Sequence, residues 1–228
     1  MKRSTTRRER SLTFAGIALC LGLAALSPAA TAMGTGGTDT VRSLYDTLLA
    51  TMRNGAALGP HGRYAQLEPV VRRVFDIPFM TRLAVGPQWE GVTEAQRQEV
   101  SKAFERYVAA IYAERFDSYS GERLQVTGEQ PSSGGTVITS QIVKSNGQPV
   151  NINYLMRDNG GVWKIADVYL DGTISEMATR RSEFAAILRA QGITGLVQTL
   201  NAKANTLTGA AAEAPCVLRD APFGRSSG

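Results

Sequence analysis

Asn146-Gly147-Gln148-Pro149-Val150-Asn151-Ile152-Asn153-Tyr154-Leu155-Met156-Arg157 decides the fold class of this chain. From Val150 onward, Val150, Ile152, Tyr154 and Met156 alternate with Asn151, Asn153 and Arg157. An extended backbone sends alternate side chains to opposite faces, so this pattern is a strand with one apolar and one wet face. Asn146-Gly147 just before it is the strongest short-range hairpin signal, because both residues accept the left-handed angles of a tight turn. A one-sided strand entered from a hairpin belongs to an antiparallel sheet.

Working outward, the same period of two recurs over 124–128, 137–143 and 162–170. The separators are Pro131-Ser132-Ser133-Gly134-Gly135 and Asn159-Gly160-Gly161, residue types that break strands and form turns. Four strands in an antiparallel meander are therefore expected.

On both sides the period returns to 3.6. Val41, Leu44, Tyr45, Leu48, Leu49 and Met52 form a helical stripe ending at Asn54-Gly55; 57–62 reads as a loop. Leu67, Val70, Val71, Val74 and Phe75 make a second stripe, with Pro69 placed near its start. The chain breaks and restarts at Ile77-Pro78-Phe79-Met80, then stops at Gly86-Pro87. Thr93 and Gln96 have the spacing of a capping box. They open a long helix carrying Val100, Phe104, Tyr107, Val108, Ile111, Tyr112, Phe116 and Tyr119 and ending at Gly121. After the strands, Ile174, Met177, Ala178, Phe184, Ile187 and Leu188 lead to Gly192, and a further helix carries Ile193, Leu196, Val197 and Leu200. Helices over 39–121, a sheet over 122–171 and helices over 174–208 define an α+β domain, its helices laid on one face of a curved, about four-stranded antiparallel sheet.

The N-terminus reads as an export signal: Lys2, Arg3, Arg7, Arg8 and Arg10 precede an apolar run over 12–26 and a small-x-small site at Ala30-Thr31-Ala32. That run is shorter than the roughly 20 residues a membrane span needs. A lipoprotein site at Cys20 would want a small residue where Leu19 stands, and Arg10 occupies the apolar place of a twin-arginine signal. Residues 1–32 are thus expected to be a cleaved signal peptide, 33–38 a flexible lead-in, 39–208 the domain and 209–228 a disordered tail. The whole chain has 25 Lys+Arg against 20 Asp+Glu, and removing 1–32 leaves 20 against 19. No basic stripe survives for nucleic acid. Cys216 would be the sole remaining cysteine, which excludes an intramolecular disulfide, and one histidine with no thiolate cluster gives no metal site or cofactor.

Three features carry candidate chemistry. His61 lies in Gly-Pro-His-Gly with no nucleophile motif around it, the usual setting of a solvated histidine. Asp167, Tyr169 and Asp171 share a strand face with Trp163 and Ile165. A carboxylate facing an apolar cavity is a candidate general base of a lipophilic isomerase or hydratase. The plainer alternative pairs Asp167 with a rim cation and has Asp171 cap the turn. Arg180-Arg181-Ser182-Glu183 is either a solvated helix face or a docking patch. The aromatic stripe of the long helix is core or cavity lining, and periodicity does not separate the two.

Taken in order, Phe75-Asp76-Ile77-Pro78-Phe79-Met80, Leu83-Ala84-Val85-Gly86, Trp89 and Thr93-Glu94-Ala95-Gln96-Arg97 resemble the N-terminal signature of the MlaC/toluene-tolerance family. Phe104 and Tyr107 with Tyr112-Ala113 fit it too. Val150 to Tyr154, Trp163-Lys164-Ile165-Ala166-Asp167-Val168, Gly172 and Arg181-Ser182-Glu183-Phe184 resemble the second signature, so the likeness spans 41–207. Asp171-Gly172-Thr173-Ile174-Ser175-Glu176 carries one residue more than the family's usual turn. With Ala178-Thr179-Arg180-Arg181 it resembles the branch associated with hopanoid biosynthesis (HpnM-like).

The resemblance implies a non-enzymatic periplasmic lipid carrier with an NTF2-like cone enclosing an apolar pocket. It would shuttle a phospholipid or hopanoid between an inner-membrane transporter and outer-membrane acceptor proteins. A monomer is expected, because the sequence has no exposed heptad or single long apolar edge. The apolar stripes and the family's pocket together give an expected lining of Phe75, Phe79, Met80, Leu83, Phe104, Val108, Ile111, Tyr112, Tyr154, Val168, Leu170, Ile174, Met177, Phe184 and Leu188. A ligand-free periplasmic adaptor, its stripes simply filling a core, is the remaining alternative.

Overall fold

A computed structural model describes residues 36–210. The expected signal peptide, residues 33–35 of the lead-in, the tail from 211 onward, Cys20 and Cys216 lie outside the described residues. The element order is α1 (Gly37–Arg53), α2 (Gly55–Val74), α3 (Ile77–Val85), a 3-10 turn (Gly86–Gly91), α4 (Glu94–Arg115), β1 (Arg123–Ser132), β2 (Gly135–Val143), β3 (Pro149–Asp158), β4 (Trp163–Leu170), β5 (Ile174–Ser175) and α5 (Glu176–Thr208). The five strands form one antiparallel sheet in sequential order, β1-β2-β3-β4-β5. The fifth, of two residues, is the addition to the four strands read from the sequence.

Several boundaries differ from the sequence expectation, each for a local reason. Segment 57–62 is mostly helix rather than loop: α2 runs through it with a break at Gly59, whose φ of 61° and ψ of 179° are open only to glycine. Pro60 follows, where a helix start needs no N–H. Pro69 is consequently interior to the helix rather than near its start. The long helix ends at Arg115, with Phe116 as its C-cap, six residues before Gly121. Its start is as read: Thr93 accepts from the Gln96 N–H while the Gln96 side chain accepts from the Thr93 N–H at 3.0 Å. The last helix kinks at Gly192 (φ 65°, ψ −165°), which divides it into the two segments the sequence separated.

The core lies between the helices and the concave face of the sheet. β3 directs Ile152, Tyr154 and Met156 inward. Across it, Ile138 pairs with Tyr154 and Ile142 with Val150 on β2; Val168 pairs with Tyr154 and Leu170 with Ile152 on β4. Val41, Leu44, Leu48, Leu67, Val71, Val100, Phe104, Leu196 and Leu200 complete the core from the helical side. A bulge re-aims β4. Leu155 pairs with Asp167, but its neighbour Met156 pairs with Ile165, so Ala166 is the extra residue. Ile165 therefore points inward with Met156, and Asp167 points to the other face with Leu155. The shared face expected for Ile165 and Asp167 is broken at that residue.

Candidate functional site

Between α4, the start of α5 and the inner sheet face the core does not close. A chamber of about 520 Å³ remains, far beyond the space for a few waters. Its wall is built by periodicity. Phe104, Val108, Ile111, Tyr112 and Arg115 form one face of α4 at helical spacing. Val150, Ile152 and Tyr154 of β3, Ile142 of β2, and Val168 and Leu170 of β4 present the sheet's inward set. Met52, Phe75, Met80, Phe116 and Met177 close the remaining sides, with Ser118 also in the lining.

Charged groups of both signs accompany this apolar wall: Arg115, Asp117, Glu122 and Lys144. Arg115, Asp117 and Lys144 are exposed, which marks this end as the rim. Glu176 and Arg180 also line the chamber, paired at 3.0 Å, and Arg180 bonds Glu183 at 2.8 Å. Burial works against the charge of Arg180, but Glu183, Tyr107 and Glu176 outweigh it and hold its pKa above the ordinary arginine range. Its guanidinium lies 5.5 Å from the Tyr107 ring centre. Of the patch Arg180-Arg181-Ser182-Glu183, Arg180 is thus turned inward and the other three face solvent.

Three phenols cluster here, Tyr112 and Tyr154 in the wall and Tyr45 packed against Tyr154. Tyr45 and Tyr154 pack edge to face at 5.9 Å, Tyr112 packs edge-on against Phe75 at 5.5 Å, and Tyr112 stacks on Phe116 at 5.6 Å. Burial pushes all three phenols above their ordinary value.

Ten of the fifteen residues expected to line a pocket do line this chamber: Phe75, Met80, Phe104, Val108, Ile111, Tyr112, Tyr154, Val168, Leu170 and Met177. The other five stand elsewhere. On α3, Met80 and Ala84 face inward, four residues apart. Phe79 and Leu83, each one residue earlier, are rotated away by about 100°. Phe79 lies under the Arg157 guanidinium at 3.9 Å, and Leu83 is 36% exposed. Ile174 is 54% exposed in β5. Phe184 is buried behind the wall, edge-on to Phe104 at 6.2 Å, and Leu188 is buried one turn farther along α5. Val150, Ile152 and Phe116 were visible as apolar periodic positions without being assigned to the pocket. The charged rim had no sequence signal, because it is assembled from three separate loops and helix ends.

The catalytic candidates are not brought together. His61 is exposed on α2. Asp167 is buried and fully engaged: it accepts from the Ser175 hydroxyl at 2.6 Å, the Val168 N–H at 2.7 Å and the Met177 N–H at 3.1 Å. It ties β4 to the start of α5, rather than meeting a rim cation. Asp171 takes a left-handed φ of 48° in the following turn, and Ser175, not Asp171, caps α5. Among the described residues no group of acidic, histidine or cysteine side chains is arranged to hold a metal, and no helix is long and apolar enough to cross a membrane.

Fold and chamber together define an α+β cavity protein, whose helices and open antiparallel sheet enclose an apolar space with a charged rim. The chain belongs to the MlaC family: the family model described as "MlaC protein" matches residues 42–202. Among solved structures, it is similar to a phospholipid-binding protein from Ralstonia solanacearum in complex with a phospholipid. The two share 24% identity and a TM-score of 0.62, over 74% of this chain and 96% of that one.

Proposed function

We infer that this protein is a periplasmic lipid carrier that holds a phospholipid or hopanoid in the chamber and passes it between inner- and outer-membrane partners. The observation that carries this is the chamber itself. Its space of about 520 Å³ is walled by aliphatic and aromatic side chains and has charges of both signs at one end. Apolar walls suit acyl chains or fused rings, and the rim suits a zwitterionic or polar head. The Ralstonia protein of the same fold is described with a phospholipid bound. The hopanoid alternative rests on the sequence of the Asp171–Ser175 turn.

Physical transfer accounts for such a function without covalent chemistry. Burying a methylene is worth about 0.8 kcal/mol, so a two-chain lipid does not cross an aqueous gap unaided at a useful rate. A carrier hides the chains and releases them where a partner favours an open state. The adaptor alternative requires a filled core, which the chamber argues against. The isomerase alternative takes Asp167 as its base, and Asp167 points away from the chamber with its oxygens engaged.

Mass spectrometry of an organic extract from gently purified protein, beside an unrelated exported control, is the test. A stoichiometric phospholipid or hopanoid is expected and names the cargo. An extract that stays empty after incubation with lipid vesicles sinks the carrier reading.

A further inference from the structure

One stretch of the chamber wall is neither helix nor strand. Residues 116–122 connect the end of α4 to β1, and Phe116, Asp117, Ser118 and Glu122 of this lip line the chamber at its charged end. The frame beside the lip is firmly tied. Arg63 on α2, only 9% exposed, donates from Nε to the Ala113 carbonyl at 2.8 Å and from Nη1 to the Gly55 carbonyl at 3.0 Å. It joins the last turn of α4 to the start of α2 and satisfies a carbonyl that a helix end leaves free.

The lip itself is held differently. Its hydrogen bonds among the described residues stay local. The Phe116 N–H donates to the Tyr112 carbonyl at 3.0 Å, the Ser118 hydroxyl to Asp117 at 2.8 Å and the Ser120 N–H to Glu122 at 2.7 Å. Two contacts with the junction of α1 and α2 seat it on the body. The Asp117 carbonyl rests on Gly55, where an added Cβ would overlap that oxygen. The Arg53 guanidinium lies over the Tyr119 ring, 5.2 Å from its centre. Tyr119 is 40% exposed, and an exposed cation–π contact favours the closed position by only about two- to fivefold. At the far end Gly121 takes a φ of 105°, an angle that suits a residue without a Cβ.

Resting on the carrier reading above, we propose that 116–122 is the gate through which cargo enters and leaves, with Arg53 and Tyr119 as its catch. The strength of each closure picks this exit. The sheet side is shut by ladders of backbone hydrogen bonds. Between α4 and α5 the wall is shut by Arg180, ion-paired at once to Glu176 and Glu183, and the start of α5 is fastened through Asp167. Opening there breaks several partly buried charged contacts together, each stronger than one exposed cation–π contact. The lip can lift at the cost of Arg53 on Tyr119 and the seat on Gly55, while Arg63 keeps the frame in place. Arg53 follows Met52, which lines the chamber, so the catch stands beside the mouth and off the cargo. It sets how fast lipid leaves rather than how much is held.

The test is a stopped-flow transfer assay. Full-length mature protein loaded with a pyrene-labelled phosphatidylcholine is mixed with excess unlabelled phosphatidylcholine vesicles, and probe release is timed. Neither Arg53 nor Tyr119 lines the chamber, so Arg53→Gln and Tyr119→Leu are expected to load as much probe per mole as wild type. Each is expected to release it about two- to fivefold faster. The double variant is expected to be no faster than either single one, because both substitutions break the same contact. Release at the wild-type rate in both single variants, or rate gains that multiply in the double variant, overturns the gate and leaves carriage standing. Wild type that takes up no probe overturns the carrier reading and the gate with it.

Discussion

The Ser175 hydroxyl donates to the Asp167 carboxylate at 2.6 Å, and this contact fastens the last long strand to the helix that follows it. Ser175 at the same time accepts from the Ala178 N–H at 3.0 Å as the N-cap of α5. The second Asp167 oxygen takes the Met177 N–H at 3.1 Å. One carboxylate and one hydroxyl thereby satisfy two N–H groups that the first turn of a helix leaves without partners. A negative charge at that end is also favoured by the helix dipole.

This makes Asp167→Ala a stability variant. It strands the Ser175 hydroxyl and the Val168 and Met177 N–H groups in a buried setting, at a cost of about 2–3 kcal/mol. Asp167→Asn keeps an acceptor and is expected to cost less. Urea unfolding measures both, and lipid retention by the folded fraction is expected to be intact. Retention lost while stability holds would instead place Asp167 at the cargo.

Ile111 and Leu48 separate wall from core. Ile111 is partly buried and lines the chamber; Leu48 is fully buried in the helical core. Ile111→Arg is expected to abolish lipid retention while leaving the melting temperature within a few degrees, because a long cation can run along the chamber toward the rim with its charge in water. Leu48→Ala is expected to cost about 2–5 kcal/mol through its cavity and lost contacts, with retention unchanged in whatever stays folded. Extracted lipid per mole of protein, read beside unfolding curves, checks both. Unfolding of Ile111→Arg would assign that position to the core.

How much of this was legible beforehand follows from which signals are local. The alternation over 150–156 and the Asn146-Gly147 turn are contained within a dozen residues, so the meander and its inward face could be read directly. The stripe on α4 could be read as a face, but not as the wall of an empty space. Periodicity reports which side of a helix is apolar, whereas a chamber is a shortage of atoms between elements. Phe184 illustrates the limit: it sits on the apolar face of α5, yet the ring of Phe104 stands between it and the chamber. The bulge at Ala166 was invisible because the period of two runs through Trp163, Ile165 and Asp167 without a glycine or proline to mark the shift. That single extra residue moved the most plausible general base to the opposite side of the sheet.

The phenols predict an alkaline limit. Burial raises the pKa values of Tyr112 and Tyr154 in the native state, while the unfolded chain releases the same protons near the ordinary value of 10.0. Above about pH 10 the unfolded state therefore binds fewer protons than the native state, and stability falls as pH rises, by up to about 1.4 kcal/mol per pH unit for each phenol. Below pH 10 both states keep these protons and the contribution is constant. Urea midpoints at about pH 9 and pH 11 measure the slope. Tyr154→Phe is expected to flatten it, and an unchanged slope in that variant would show that other groups set the limit.

Gly192 tests whether the kink in α5 is required by the backbone rather than by packing. Its φ of 65° with ψ of −165° falls in a region essentially reserved for glycine, and a Cβ added there meets nothing within 4 Å. Gly192→Ala therefore carries no steric clash, and its cost is conformational, about 1–3 kcal/mol. The alternative open to the variant is to straighten the helix. That would displace the segment bearing Leu196, Val197 and Leu200, all buried against the core, so straightening is no cheaper. The urea midpoint is expected to drop with an unchanged denaturant slope, because the same surface is exposed on unfolding. A lowered slope would mean that the distal half of α5 has detached in the native state. A midpoint equal to wild type would mean that the kink carries no strain for a residue with a Cβ.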